Sequence, residues 1–292
     1  MEAKKPLGLY LHIPFCAQKC RYCDFLSGKG SREEMEEYIE ALVREIRAYQ
    51  GYSFLETEER IREPRIVCVE LEQKNAEAEK NLQIKEGVFQ RIKSFEVQTI
   101  YFGGGTPSIL PAEAIMRCLT AIRETFTVSS MAEITLEMNP GTVTREKLKA
   151  YKWAGINRLS IGLQSVREDE LKLLGRIHTF AQFQYCFTMA REEGFQNISV
   201  DLISGLPGQT KEAFLESLHT VKNLGAEHIS VYSLIIEEGT PFYELYGEEG
   251  SRQEELISEE TDREFYELTK QELAKAGYIR YEFSNYAREG FE

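Results

Sequence analysis

Blocks of apolar and polar positions alternate along most of this chain, with the lengths of strands and helices. The first apolar run covers residues 7–13 and is closed by Pro14, which predicts a strand that enters a loop. Ser31 and Glu34 form a capping-box pattern, and apolar residues recur at helical spacing after them. A helix is therefore predicted over residues 32–49.

From residue 97 onward the alternation is regular. The five further predicted strands cover residues 97–102, 133–138, 158–163, 198–203 and 228–235. The predicted helices that follow them cover residues 111–126, 144–153, 168–193, 211–224 and 259–276. With the first strand and helix they make six strand-then-helix units, a pattern typical of right-handed crossovers and a parallel sheet. Periodicity alone leaves open whether this sheet is an incomplete barrel or an open doubly wound sheet.

Residues of unusual chemistry stand at or near the ends of five predicted strands. Three cysteines follow the first strand, and a Gly-Gly-Gly-Thr-Pro segment follows the second. The next three strands carry Glu137, Gln164 and Asp201 near their ends. Parallel α/β folds bind ligands at this edge, and convergence from five strands suits a barrel mouth better than a single crevice. The sequence therefore predicts an α/β fold, a partial (β/α)6 barrel of the TIM type.

The predicted elements divide the chain into four parts. Residues 1–50 begin the barrel and carry the cysteine loop, and residues 51–95 are interpreted as an insertion with a helix or hairpin. Residues 96–276 complete the barrel. Residues 277–292 are interpreted as the start of a C-terminal region.

Charge and hydropathy narrow the classes of partner. The chain has 35 Lys and Arg against 48 Asp and Glu, a formal charge of −13, which is the wrong sign for sequence-independent binding to nucleic acid or anionic lipid. Its apolar runs are far shorter than the roughly 20 residues that cross a bilayer, and no signal segment opens the chain. We therefore expect no transmembrane segment and a cytoplasmic location.

Three of the six cysteines, Cys16, Cys20 and Cys23, fall within eight residues. In a reducing compartment this clustering favours a metal site over disulfides. Three thiolates from one loop can hold a cubane 4Fe–4S cluster and leave one iron without a protein ligand. The alternative is a Cys3His zinc site that uses His12, but His12 lies within the predicted strand, and we favour the cluster.

A family resemblance starts at this loop, which reads Tyr10-Leu-His-Ile-Pro-Phe-Cys16-Ala-Gln-Lys-Cys20-Arg-Tyr-Cys23. It resembles the signature of the radical S-adenosylmethionine (SAM) enzymes, and specifically their coproporphyrinogen dehydrogenase and HemW branch. Further matching segments follow in order at residues 101–107, 136–140, 157–164, 201–207 and 281–286. Together these segments cover nearly all of the chain outside the insertion.

The resemblance implies a set of cofactors. Cys16, Cys20 and Cys23 would bind the 4Fe–4S cluster, and the amino and carboxylate groups of SAM would chelate its open iron. One electron from the cluster would cleave the sulfur–carbon bond of SAM and release methionine and a 5′-deoxyadenosyl radical. Electron transfer into the cluster implies an electron-donor protein as a partner.

Further residues are expected to contact SAM. The three glycines at residues 103–105, called the glycine turn below, have no side chains to keep a ligand away, although they could equally form only a tight turn. Glu137 offers an acceptor for the ammonium or ribose hydroxyls of SAM, and Tyr10 could hydrogen-bond the methionine carboxylate. The resemblance also places Gln164, Arg176 and Asp201 around a second SAM position. Arg176 could alternatively be an ordinary cation near a helix end. The full set of expected SAM contacts is Tyr10, Gly104, Gly105, Thr106, Glu137, Gln164, Arg176 and Asp201.

Two functions share this family scaffold. One is oxygen-independent coproporphyrinogen III dehydrogenase, which converts two propionates of a porphyrinogen to vinyls. The other is a heme chaperone that delivers heme to acceptor proteins. Phe25 stands where the dehydrogenase has a further cysteine, and Tyr10 lies too near the start for the N-terminal extension of the dehydrogenase. Both differences favour the chaperone, so the expected partners are SAM, heme or a porphyrinogen, and a heme-acceptor protein.

The resemblance also implies a C-terminal domain with a Cys-x-His-Asn segment implicated in heme binding. The chain ends at Glu292, before that segment, so we expect the C-terminal domain to be truncated here and assign no heme ligands. Whether such a chain is catalytic stays open at this point.

Several other residues of interest have simpler structural interpretations. The two isolated histidines are interpreted as solvent-facing or hydrogen-bonded, and the single tryptophan as helix packing. The cysteines outside the loop are interpreted as small core residues. These residues are His219, His228, Trp153, Cys68, Cys118 and Cys186.

The cysteine assignment predicts the outcome of a single substitution. After anaerobic reconstitution, Cys20→Ser should lose the cluster, because the remaining two thiolates hold only two of its irons. Iron and sulfide analysis with the visible absorption spectrum measures this loss. Cys118→Ala, outside the loop, is the matched control and should keep a full cluster. A fully loaded Cys20→Ser protein would contradict the assignment.

Overall fold

A computed structural model describes residues 4–49 and 94–292. Its strands are β1 (Lys5–Ile13), β2 (Phe95–Gly104), β3 (Val128–Met138), β4 (Arg158–Gln164), β5 (Ile198–Ser204), β6 (His228–Ser233), β7 (Ile279–Arg280) and β8 (Asn285–Ala287). Its helices are α1 (Arg32–Ala48), α2 (Ala112–Thr125), α3 (Arg145–Ala154), α4 (Glu168–Leu174), α5 (Phe180–Glu192), α6 (Lys211–Leu224), α7 (Pro241–Tyr246) and α8 (Glu259–Lys275).

All the described strands belong to one sheet in the order β1-β2-β3-β4-β5-β6-β8-β7. The first six pair in parallel with their neighbours along the chain, and β8 then pairs antiparallel with both β6 and β7. The strands β1 and β7 are the edges of the described sheet, which therefore does not close on itself. The predicted six-stranded partial barrel is confirmed.

The two faces of the sheet differ in chemistry because side chains alternate along each strand. Apolar residues such as Leu136, Ile161 and Val200 are fully or almost fully buried in the hydrophobic core that includes the helices. The residues between them are polar and face the concave side, where Glu137 and Asp201 line a cavity. The helices thus cover an apolar face, while the concave face is left for a ligand.

Capping explains where the first helix begins and why one predicted helix is two. Ser31 Oγ accepts the N–H of Glu34 at 3.1 Å, and the Glu34 carboxylate accepts the N–H of Ser31 at 2.7 Å, as the capping box predicts. The predicted helix over residues 168–193 is wrong, because α4 ends at Leu174 and is capped by Gly175, where φ is +75°. A second capping box, at Thr179, then starts α5. Arg176 therefore lies in a loop between two helices.

The interpretation of Trp153 as packed against the core is also wrong. The buried face of α3 consists of Leu148, Tyr151 and Ala154, and Trp153 points away from it with 80% of its surface exposed. Cys118 and Cys186 are buried as predicted, and Cys68 lies outside the described residues.

Almost all of the predicted insertion also lies outside the described residues. Its last predicted residue, Phe95, is the first residue of β2. None of the helices in the two described ranges combines the length and the apolar content needed to cross a membrane.

The contact between α6 and α8 predicts a change in stability. Phe265 is fully buried and stacks on Phe214 with ring centroids 4.7 Å apart. Phe265→Ala should lower the free energy of unfolding by about 3–5 kcal/mol, because it leaves a cavity in the core. The exposed Trp153 supplies the control, and Trp153→Ala should change the free energy of unfolding by less than about 0.5 kcal/mol. Urea denaturation measures both, and equal effects would contradict the packing described.

Candidate functional site

A cavity of about 600 Å³ lies at the carboxyl ends of the parallel strands. Ten of the eleven predicted site residues line it, and Tyr10 is the exception. These ten are Cys16, Cys20, Cys23, Gly104, Gly105, Thr106, Glu137, Gln164, Arg176 and Asp201. These residues come from the strands β2, β3, β4 and β5 and from the loops after β1, β2 and α4. The structure thus brings together residues that are up to 185 positions apart in sequence, from Cys16 to Asp201.

The cysteine loop is attached to the rest of the fold through its backbone. Cys16 N–H donates to Gly28 O at 2.8 Å, which closes the loop at its base. Arg21 N–H donates to Leu174 O at the end of α4, and Arg21 O accepts from Phe242 N–H in α7, both at 3.0 Å. All three thiols remain partly exposed. The loop is therefore held on both sides while its thiols stay accessible to a ligand.

The glycine turn after β2 is shaped by the cysteine loop itself. A Cβ on Gly105 would lie 2.6 Å from Phe15 O and 3.0 Å from Cys16 Sγ, so only glycine fits there. Gly105 N–H donates to Ile13 O at 2.8 Å, and Thr106 N–H donates to Phe15 O at 2.7 Å. Gly105 and Thr106 thus already have acceptors for their N–H groups. A ligand at this turn would have to supply donors, as the ammonium group of SAM does.

Two partly buried acids, Glu137 and Asp201, face the cavity. Tyr101 O–H donates to Glu137 Oε1 at 2.7 Å, and Gly104 N–H donates to Glu137 Oε2 at 3.2 Å. Burial raises the pKa of Glu137 to about 7. Burial also raises the pKa of Asp201, which accepts the hydroxyl of Ser160 at 3.2 Å. Burial thus favours the neutral form of both carboxyl groups, and a cationic ligand beside them would favour the ionised form.

Arg176 has a buried N–H group that lacks a partner. Its Nη2 donates to Asn139 Oδ1 at 2.5 Å and to Gly162 O at 2.7 Å, and its Nη1 donates to Cys20 Sγ at 3.5 Å. Nε is buried and makes no hydrogen bond within the described residues. An unsatisfied buried donor costs about 1–3 kcal/mol, which an anionic ligand group in the cavity would recover. The arrangement around Arg176 is therefore suited to an anionic ligand.

The backbone of Gln164 is in a conformation that side chains disfavour. Its φ is +75°, and within the two described ranges it is the only non-glycine residue with a positive φ. Such a residue costs on the order of 1 kcal/mol and is held by its surroundings. The neighbouring Ser165 donates to the buried Glu170 at 2.5 Å, and Gln209 donates to the other oxygen of that carboxylate at 3.1 Å. This network fixes the turn that directs Gln164 toward the cavity.

Tyr10 lies behind the cavity wall. Its ring stacks on that of Tyr101 at 6.0 Å, and its hydroxyl is 3.2 Å from His12 Nδ1. The other ring nitrogen of His12 is 2.9 Å from Leu26 O. The predicted bond from Tyr10 to the SAM carboxylate stays a prediction. Because both His12 nitrogens have partners, His12 is not placed to complete a zinc site with the cysteines.

Several cavity residues were missed by the sequence analysis. Asn139 connects Thr106 to Arg176, and Tyr101 holds Glu137. At the base of the cavity, His228 is buried and hydrogen-bonded to Ser199 and Tyr281 at 2.7 and 2.8 Å. Burial lowers the pKa of His228 to about 3, so it is neutral there. The alternation of polar and apolar residues along the strands is the sequence signal that could have identified these cavity residues.

The remaining isolated histidine has a structural role. His219 Nε2 lies 3.0 Å from Glu272 Oε2, so it pairs α6 with α8, away from the cavity. The residues described form no group of three or more His, Cys, Asp or Glu side chains placed to hold a single metal ion.

The raised pKa of Glu137 predicts how stability changes with pH. Its pKa is about 7 in the folded protein against an ordinary value of 4.5, so between these values the folded state binds more protons than the unfolded state. The free energy of unfolding should therefore fall as pH rises from 4.5 to 7, by up to about 3 kcal/mol.

Denaturation of the ligand-free protein across this pH range checks the prediction. Glu137→Gln keeps an acceptor for Tyr101 and should remove most of the pH dependence. Glu212→Gln, at an exposed position in α6, should leave it unchanged. The same pH slope in Glu137→Gln as in the wild type would show that another group is responsible.

Comparisons with known proteins identify relatives of this chain. The heme chaperone HemW of Haemophilus influenzae is 36% identical over 294 residues, which cover 100% of this chain and 66% of that protein. The heme chaperones HemW of Lactococcus lactis and Bacillus subtilis are 34% and 35% identical and cover 99% and 97% of this chain. Each alignment spans 64% of these two relatives, so the chain spans slightly less than two thirds of the length of these proteins.

The fold has a counterpart among solved structures. The coproporphyrinogen III oxidase HemN from Escherichia coli, described as a radical SAM enzyme, matches with a TM-score of 0.75. The match covers 98% of this chain and 56% of that one at 24% identity, so it concerns the fold alone. The family model of the radical SAM superfamily matches residues 73–221. Because this match covers half of the chain, the chain belongs to the radical SAM superfamily.

Proposed function

We propose that Cys16, Cys20 and Cys23 bind three irons of a 4Fe–4S cluster and that SAM binds at the fourth. The two cofactors come with membership of the superfamily, and their assignment to these residues is our proposal. The observation that carries it is the single cavity shared by the three thiols, the glycine turn and the acids of β3 and β5. When bound, a reduced cluster of this kind supplies the electron for reductive cleavage of SAM.

The side chains of the cavity match the two ends of such a ligand. Glu137 and Asp201 are acceptors that would pair with cationic or hydroxyl groups, and such a ligand would keep them ionised. Arg176 offers its unsatisfied Nε to a carboxylate. Gln164 points its amide at the same space from a constrained backbone. In this assignment the chain binds and orients SAM and keeps bulk water from it.

The protein function that we propose is that of a heme chaperone in heme trafficking. Similarity to three bacterial proteins named heme chaperone HemW, over almost the whole of this chain, supports it. Phe25, two residues after Cys23, is 65% exposed at the cavity and stands where the dehydrogenase branch has a cysteine. We propose further a cytoplasmic location, heme and a heme-acceptor protein as partners, and an electron-donor protein.

The domain organisation that we propose uses the boundaries predicted from the sequence. Residues 1–50 and 96–276 would supply the cluster and SAM site, residues 51–95 would be an insertion, and residues 277–292 would begin a C-terminal region. Within this last stretch, β8 pairs with β6 of the barrel.

Electron paramagnetic resonance tests the cofactor proposal. The anaerobically reconstituted chain, reduced with dithionite, should give the signal of a reduced 4Fe–4S cluster, and the addition of SAM should change this signal because SAM binds the open iron. Arg176→Leu should need at least about tenfold more SAM for the same change, since a charge-assisted bond is worth roughly 1.5–3 kcal/mol. A spectrum that SAM leaves unchanged in the wild type would contradict an open iron.

A second measurement distinguishes the two family functions. The cluster-loaded chain, supplied with SAM, reductant and coproporphyrinogen III, should form no protoporphyrinogen IX if it is of the chaperone type. Product formation would contradict the chaperone proposal and identify a dehydrogenase.

A further inference from the structure

A continuous chain of side-chain hydrogen bonds joins two of the three loop cysteines. Thr106 Oγ1 is 3.5 Å from Cys16 Sγ, and Asn139 Nδ2 donates to Thr106 Oγ1 at 2.8 Å. On the other side, Arg176 donates through Nη2 to Asn139 Oδ1 at 2.5 Å and through Nη1 to Cys20 Sγ at 3.5 Å. Asn139 is the centre of this chain, and it touches neither thiol itself.

The direction of each hydrogen bond follows from the chemistry of the groups. A guanidinium only donates, so the side of Asn139 that faces Arg176 must be its carbonyl oxygen. The amide NH2 of Asn139 then faces Thr106 and donates to the hydroxyl oxygen. Because that hydroxyl has a single proton and already accepts from Asn139, its proton is directed to Cys16. One amide therefore directs the hydroxyl of Thr106 and, together with Gly162 O, orients the guanidinium of Arg176.

The surroundings of Asn139 hold it in this orientation. Its backbone N–H donates to Ser108 Oγ at 3.2 Å, and its backbone carbonyl accepts the hydroxyl of Thr142 at 2.7 Å. Across the cavity wall, a Cβ on Gly162 would lie 2.9 Å from Asn139 Oδ1 and 3.2 Å from Arg176 Nη2. The absence of a side chain at Gly162 leaves the space in which the amide and the guanidinium meet.

We propose that Asn139 is a positioning residue that raises the reduction potential of the cluster. It does so by directing one hydrogen bond to Cys16 and one to Cys20, and this inference rests on the proposed binding of the cluster by these thiols. Reduction adds negative charge to a cluster and its thiolates, and donors at the sulfur atoms stabilise that charge. Without Asn139, Thr106 loses the donor that directs its proton to Cys16, and Arg176 Nη2 keeps only Gly162 O, at 2.7 Å, as an acceptor.

The experiment is a potentiometric titration of the reconstituted chain, followed by electron paramagnetic resonance. In Asn139→Ala the midpoint potential should fall by about 59 mV, which is a tenfold change in a one-electron equilibrium. Asn157→Ala is the matched control, since Asn157 also makes two side-chain hydrogen bonds, to Ile134 N–H and Ala132 O at 2.8 Å, but does not line this cavity. Its potential should equal that of the wild type.

Each result has a defined meaning. An unchanged potential in a cluster-loaded Asn139→Ala protein, or an equal fall in Asn157→Ala, would overturn the positioning role while leaving cluster binding intact. If Asn139→Ala does not take up a cluster, Thr106→Val decides, because it removes only the hydroxyl that faces Cys16. A lower potential in Thr106→Val supports the proposal, and an unchanged one overturns it. A wild-type chain that binds no cluster would instead overturn the proposed function, and this inference with it.

Discussion

The contact between the glycine turn and the end of β1 determines where the whole site lies. Gly105 approaches the backbone of Ile13 and Phe15 so closely that a Cβ would be 2.9 and 2.6 Å from their carbonyl oxygens. The two strands are thus joined at their carboxyl ends, immediately before Cys16. The loop that carries the thiols has no helix or strand of its own, so this junction gives it a fixed position above the sheet. The acids of β3 and β5 can face the thiols only because this position is fixed.

The second requirement is a concave face that can hold a polar ligand. Barrels of this general kind are usually filled by layers of Val, Ile and Leu. Here Tyr101, Glu137, Ser160 and Asp201 occupy the inward positions instead, and hydrogen bonds among them reduce the cost of burial. The raised pKa of both acids shows that part of this cost remains. Carboxyl groups that have lost water without full compensation by hydrogen bonds are stabilised by a ligand of matching charge.

Much of this arrangement could be predicted from the sequence because it depends on local patterns. The capping box at Ser31, the six strand-then-helix units and the cysteine spacing each need only nearby residues, and the family resemblance pointed to further residues that line the cavity. The break at Gly175 was missed because apolar spacing continues through it, and Trp153 because an aromatic in a helix does not by itself indicate the buried side. Asn139 and Tyr10 owe their positions to partners far away in sequence, which no local pattern contains.

An open barrel also has two sheet edges, and exposed edges invite pairing between molecules. In the described sheet β7 ends one side and is only two residues long, which offers a poor template for another strand. On the other side β1 begins with Lys5 and Pro6, where a charge and a missing N–H both disfavour the addition of a strand. Within the described ranges, the barrel can therefore remain incomplete while the start of β1 and the short β7 both disfavour the addition of a strand from another molecule.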